Sequence, residues 1–245
     1  FEGFTPLELL PNSTPFREEY HAISKDSMDA KLVLYNMNMM PEYCKESYIP
    51  EYDLSDKFKC DVIPSFLGKG ECKHNDTNIK WLARKKVQGK TLSQCINEKM
   101  DFKRDIDKTL NMFISILNGV NEISGLLKKG GHNNINTDNI IVSEDSNGKE
   151  KWFITGFGCI SEPCSGKATF DESVLNAEFR APETALCRYN QATDVFSLGI
   201  VLSYLLQNKS PWPILREGQE QVNFLAYVKH VMETRPKIEV DERFF

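Results

Sequence analysis

Apolar residues in the first ninety or so positions fall into short runs divided by turn residues. Lys31–Met37 (KLVLYNM) and Ile79–Val87 (IKWLARKKV) predict strands. His74–Asn78 (HNDTN) has the residues of a turn between antiparallel strands. Pro41–Phe58 is rich in Tyr and charge and is interrupted by Pro50, so a helix there is expected to be short or kinked. After Gly89 the period changes. Ile106, Leu110, Phe113, Leu117 and Val120 recur at alternating steps of four and three, one face of a helix, and Met112, Ile116, Ile123 and Leu127 widen that face. Gly130-Gly131 is the expected stop. Asn139–Val142 and Lys151–Ile154, joined by the turn-like Glu144–Gly148, predict a small hairpin. Asp194–Leu206 predicts a buried helix and Gln219–Met232 a more amphipathic one. Strands first and helices later predict an α+β fold in two lobes.

The 245 residues, 40% hydrophobic and 27% charged, have ordinary globular composition, which excludes disordered and low-complexity classes. A net charge of -5 argues against nucleic-acid binding, which needs a basic stripe. The most apolar stretch, Phe196–Leu206, is about half the length of a membrane span, so no span is expected. None of the seven cysteines forms a CxxC pair, so no metal site is expected. They read either as buried free thiols or as disulfides, with Cys60–Cys72 and Cys159 or Cys164 with Cys187 as pairs suggested by sequence proximity alone. The three Asn-x-Ser/Thr sequons, at Asn12, Asn75 and Asn208, are close to what chance gives so Asn-rich a chain.

Four further features stand in a fixed order. His132–Val142 reads HNNINTDNIIV between the long helix and the hairpin. Gly156-Phe157-Gly158 follows the hairpin, Ala181-Pro182-Glu183 lies within FRAPE, and Asp194–Gly199 (DVFSLG) opens a buried helix. This series resembles the protein kinases, with their HRDLxxxN loop, DFG, APE and large C-lobe helix. Upstream, Leu82–Leu92 (LARKKVQGKTL) is similar to the last small-lobe strand, the hinge and the next helix. The resemblance implies a bilobal kinase-like fold, with residues 1–87 as the small lobe and 88–245 as a large lobe that looks short at its C-terminal end. His132, Glu183 and Asp194 would then be structural anchors, and Phe157 and Leu198 core. Glu183 would seek an arginine among Arg235 and Arg243.

Phosphoryl transfer needs a lysine on the phosphates, carboxylates on Mg²⁺ and on the substrate hydroxyl, and a glycine-rich cover. By the resemblance, Asn134 stands for the catalytic Asp, Asn136 for the basic residue of the loop, Gly156 for the metal-binding Asp and Tyr35 for the lysine. Only Asn139 keeps a metal-ligand identity. Gly3 is the sole glycine before Gly68, so no glycine-rich loop is present there. The glutamate partner of the lysine is expected near Asp53–Asp56. Arg84 falls on the gatekeeper position, with Lys85 to Val87 as the hinge of a vestigial cleft. Arg84 either enters that cleft or reaches out to solvent. No cofactor is expected, and Thr169 and Ser173 lack a loop arginine to receive a phosphate.

The implied function is a pseudokinase that binds another protein, as a scaffold or an allosteric regulator. The alternatives are an atypical active Ser/Thr kinase and a structural protein of a parasite vacuole or cyst wall. The missing glycine loop also resembles secreted apicomplexan kinases and pseudokinases of the Toxoplasma bradyzoite type. That narrower resemblance implies secretion and disulfides; the alternative is the cytoplasm.

Overall fold

The computed structural model describes residues 1–11, 13–209, 211–212, 224–234 and 236, the side chains of 46–49 excepted. Five antiparallel strands, β1 (Phe4–Leu9), β2 (Arg17–Ser24), β3 (Asp29–Asn36), β4 (Phe66–His74) and β5 (Thr77–Lys85), form a sheet in the order β1-β2-β3-β5-β4. The β4–β5 turn places Asn75 and Asp76 at φ 46° and 61°, the twist that suits a tight hairpin. In β3 the alternation of the strand buries both faces. Leu32 and Leu34 pack with Trp81 on one side, and Val33 and Tyr35 pack with Cys44 and Leu82 on the other.

The second face is covered by helix α1 (Glu42–Leu54), which runs unbroken for 13 residues through Pro50. It is not cut short at the proline. Cys44 and Glu51, seven residues apart and on the same face, are both buried and anchor the helix on either side of the proline.

The remainder of the described chain comprises β6 (Lys90–Thr91), α2 (Leu92–Asn97), α3 (Ile106–Leu126), the hairpin β7 (Ile140–Glu144) and β8 (Glu150–Ile154), α4 (Gln191–Gln207) and α5 (Phe224–Glu233). β6, β7 and β8 form a small three-stranded sheet. Asp105 caps α3, and Asn190 with Thr193 forms a capping box on α4. Of the amphipathic helix expected over Gln219–Met232, residues 219–223 lie outside the described residues.

Two expectations for α3 are corrected. Its buried stripe is Thr109, Phe113, Ile116, Val120 and Ile123, and Leu117 faces solvent. Its end comes at Leu127, where Lys128 and Lys129 take left-handed backbone, before the glycine pair is reached. The largest core cluster unites α3 and α4 with the hairpin and Phe157. The two-lobed α+β architecture expected from the chain is the one observed.

All seven cysteines are free thiols, which corrects the disulfide expectation. Cys60 packs on the core around α3, whereas Cys72 packs on the sheet beside Trp81, in a separate cluster. Cys159, Cys164 and Cys187 share a third cluster with Phe170 and Tyr189 without bonding one another. Among the described residues no helix is long and apolar enough to cross a membrane.

Candidate functional site: a cleft with rearranged charges

The loop from His132 to Asn139 is held from below by Asp194. Both oxygens of this fully buried carboxylate accept main-chain N–H groups, from His132 at 2.7 Å and Asn133 at 2.8 Å. Burial raises its pKa to about 7 against those two hydrogen bonds. The His132 ring is also fully buried, lies edge-on to Phe157 and bonds at both nitrogens. Nδ1 lies 3.3 Å from the Asn134 amide and accepts from it, so the proton sits on Nε2, which donates to the Thr155 carbonyl at 3.0 Å. Burial lowers the pKa of this ring to about 4. His132, Phe157, Asp194 and Leu198 are all buried. Glu183 accepts from Thr193 Oγ1 at 3.3 Å, while Arg235 and Arg243 lie outside the described residues.

Three of the loop's four asparagines, Asn134, Asn136 and Asn139, bond to one another. Asn136 Nδ2 donates to Asn134 Oδ1 at 3.0 Å, and Asn136 Oδ1 accepts from the amides of Asp138 and Asn139. Asn139 Nδ2 donates to the Asn134 carbonyl at 2.8 Å. Gly156 sits against this knot with φ 80°, a conformation that side chains disfavour. A Cβ placed there would lie 2.5 Å from Asn139 Cγ. A side chain at this position requires the Asn139 amide to turn away.

The charge that the β3 lysine would supply comes from elsewhere. Tyr35 is buried and its hydroxyl donates to Glu51 Oε2 at 2.6 Å. Arg17, on β2, grips the same carboxylate, Nε to Oε2 and Nη2 to Oε1, both at 3.0 Å. Its Nη1 reaches Glu19 Oε1 at 2.6 Å, and Lys31 closes the chain on Glu19 Oε2 at 2.5 Å. Burial alone would lower the Arg17 pKa, but Glu51 and then Glu19 hold it well above its usual value. Burial would raise that of Glu19; Lys31 and Arg17 pull it down to about 2. The guanidinium carbon of Arg17 lies 2.9 Å from where a Cβ of Gly158 would be, so it rests directly on the Gly156–Gly158 backbone. The glutamate expected near Asp53–Asp56 is therefore Glu51, and its cation is Arg17. The clue was available in β2: Arg17 and Glu19 occupy alternate, inward-facing strand positions, where isolated charges are costly.

The connection between β1 and β2 spends its amides locally. Thr14 and Arg17 exchange N–H···O bonds, Leu10 N donates to the Glu19 carbonyl, and Ser13 Oγ accepts from Glu19 N. Pro11 and Pro15 have no N–H to offer. A Mg²⁺·triphosphate group therefore fits the residues present poorly. Gly156 offers its metal no ligand, Asn139 is already engaged with the loop, and of the two carboxylates lining the cavity beside them Glu19 is held by Arg17 and Lys31, so Asp138 is the one that remains.

Arg84, Lys85 and Val87 line a cavity of about 170 Å³ with Thr155, Gly156 and Phe157. Arg84 does not reach solvent. It is 6% exposed, and its guanidinium carbon lies 5.4 Å from the Phe58 ring centre and 5.0 Å from that of Phe157. Asn134, Asn136 and Asn139 line a second cavity, of about 130 Å³, with Arg17, Glu19 and Asp138.

The model of the protein kinase domain family matches residues 36–243, most of the chain. The chain belongs to the protein kinase family. Its match begins one residue beyond Tyr35, so β1, β2 and nearly all of β3 lie outside it. The match covers α1, β4, β5, the loop carrying Asn139 and the Asp194 anchor. No curated protein matches the chain.

Proposed function

We propose that this member of the kinase family transfers no phosphate and works as a pseudokinase, binding another protein as a scaffold or an allosteric regulator. The observation that carries the reading is Gly156. It carries no side chain, and one placed there would meet the Asn139 amide, at the position where kinase chemistry needs a metal-binding carboxylate. Asn134 supports the same reading, because a neutral amide accepts no proton from a substrate hydroxyl. The buried supports His132 and Asp194 are retained, so the scaffold survives without the charges of catalysis.

Two measurements test the reading. Incubation with radiolabelled ATP, Mg²⁺ and broad protein substrates should give no label above that of Asn139→Ala, and Mg²⁺·ATP at millimolar concentration should leave Tm unchanged. Transfer that disappears in Asn139→Ala would overturn the proposal. Cross-linking and reconstitution with the purified partner should yield a defined hetero-complex. Self-association alone would favour a structural protein instead.

A further inference from the structure

Arg84 combines burial with unused hydrogen-bonding capacity. Its Nη1 donates to the Pro64 carbonyl at 3.1 Å, while Nε and Nη2 are buried and have no partner among the described residues. Among the described residues no carboxylate pairs with it: both oxygens of Glu51, which lines the same cavity, are engaged by Arg17 and Tyr35. A guanidinium is always charged, and leaving its donors unpaired out of water costs far more than placing an acceptor on them. The Phe58 and Phe157 rings, themselves stacked, lie against Arg84 and offer Nε and Nη2 no acceptor.

The unpaired donors share one edge of the guanidinium, the one that takes a carboxylate in two parallel hydrogen bonds. The protein contains a worked instance of that geometry, because Arg17 uses the same Nε and Nη2 pair on Glu51. Around Arg84 the cavity walls are mainly apolar, with Ala30, Val33, Val87 and Ile141, and its charged lining beyond Glu51 is the cationic Lys31, Lys85 and Lys86. We propose that this cavity binds a small organic carboxylate with an apolar body, its two oxygens clamped side-on by Arg84 once the buried Nε–Nη2 edge turns toward the cavity. The site needs neither Mg²⁺ nor a phosphate chain. It goes beyond the pseudokinase reading and stands or falls apart from it.

The test is calorimetric titration with benzoate, 2-naphthoate, 2-naphthamide and inorganic phosphate, on the whole chain and on Arg84→Lys and Arg84→Met. Saturable binding of an aromatic carboxylate is expected, with a shift of the Arg84 Nε resonance. Binding should weaken about tenfold or more for the amide and for either variant. Arg84→Lys keeps the charge without the fork, so it decides the question even if Arg84→Met fails to fold. No carboxylate binding to the unaltered chain, equal binding of amide and acid, undiminished binding by a folded variant, or phosphate binding as tightly as naphthoate would each overturn the proposal. Labelled-ATP transfer is read separately, so the outcome for phosphate chemistry leaves this one untouched.

Discussion

Arg17 and Glu51, 34 residues apart, meet in a two-pronged ion pair at 3.0 Å on both sides, with both side chains at or below 6% exposure. The pair ties β2 to α1, the two elements on either side of β3 and Tyr35. Kinases use such a tie to set the position of this helix through a lysine on β3. Here the helix is set from the neighbouring strand, and the cation that does so is fully committed to carboxylates.

Removal of Arg17 should therefore be severe. Arg17→Met leaves Glu51 and Glu19 buried with one cation fewer, and loss of about 3–5 kcal/mol is expected from urea unfolding. The double variant Arg17→Met/Glu51→Leu should lose clearly less than the sum of its single changes, because no unpaired charge remains between them. Additive losses would show that the ion pair does not hold the helix.

Gly156 allows a sharper separation of effects. Gly156→Ala should cost about 1–2 kcal/mol for the left-handed backbone alone. Overlap with Asn139 should add a further loss of similar size. Asn139→Ala in the same chain should recover the second part and leave the first. It follows that Gly156→Asp with Asn134→Asp, the smallest change that restores two catalytic carboxylates, should give a destabilised chain without phosphate transfer. Measurable transfer by that double variant would mean the loop moves aside cheaply.

The parts of this molecule legible in its sequence are those where pattern and motif agree. Strand β3 with its two apolar faces, α4 with its buried Asp194, and His132 and Phe157 all sit where periodicity and motif order put them. The ion-pair cluster was not legible, because its members lie on three elements and Arg17 falls outside any motif. The face of α3 was misjudged because apolar residues surround the helix, and only packing against the hairpin decides that Ile116 is buried and Leu117 is not. The cysteines misled for a related reason: nearness in sequence says nothing of Cβ separation across two cores.

The thiols offer a direct check of that correction. Alkylation without reductant, read by mass spectrometry, should label all seven cysteines once the chain is unfolded in urea. In the folded state Cys44, Cys95 and Cys159 should stay unlabelled, since all three are buried and burial raises the pKa of each thiol. Cys60, Cys72, Cys164 and Cys187 are partly exposed and should react first. A pair that resists alkylation even in urea would restore a disulfide.

The His132 ring should give the fold an acid-sensitive limb. Its pKa is lowered by burial to about 4 from an ordinary value of 6.5, so the unfolded chain takes up a proton between these limits while the folded chain does not. Stability from this ring is fully present above pH 6.5 and is lost as pH falls to 4, by about 3 kcal/mol in all. Asp194 works against it. Burial holds its folded pKa near 7, so the folded chain gains a proton first and is favoured as pH falls below that value. The two opposing limbs overlap, and the unaltered chain alone would show a shallow profile. His132→Gln retains a donor for Thr155 and leaves the main-chain bond to Asp194 in place, so the difference between the two chains isolates the ring. Urea unfolding at pH 8, 6.5, 5 and 4 should show the advantage of the unaltered chain shrinking only below pH 6.5. A constant difference across that range would mean the ring is not desolvated in the folded protein.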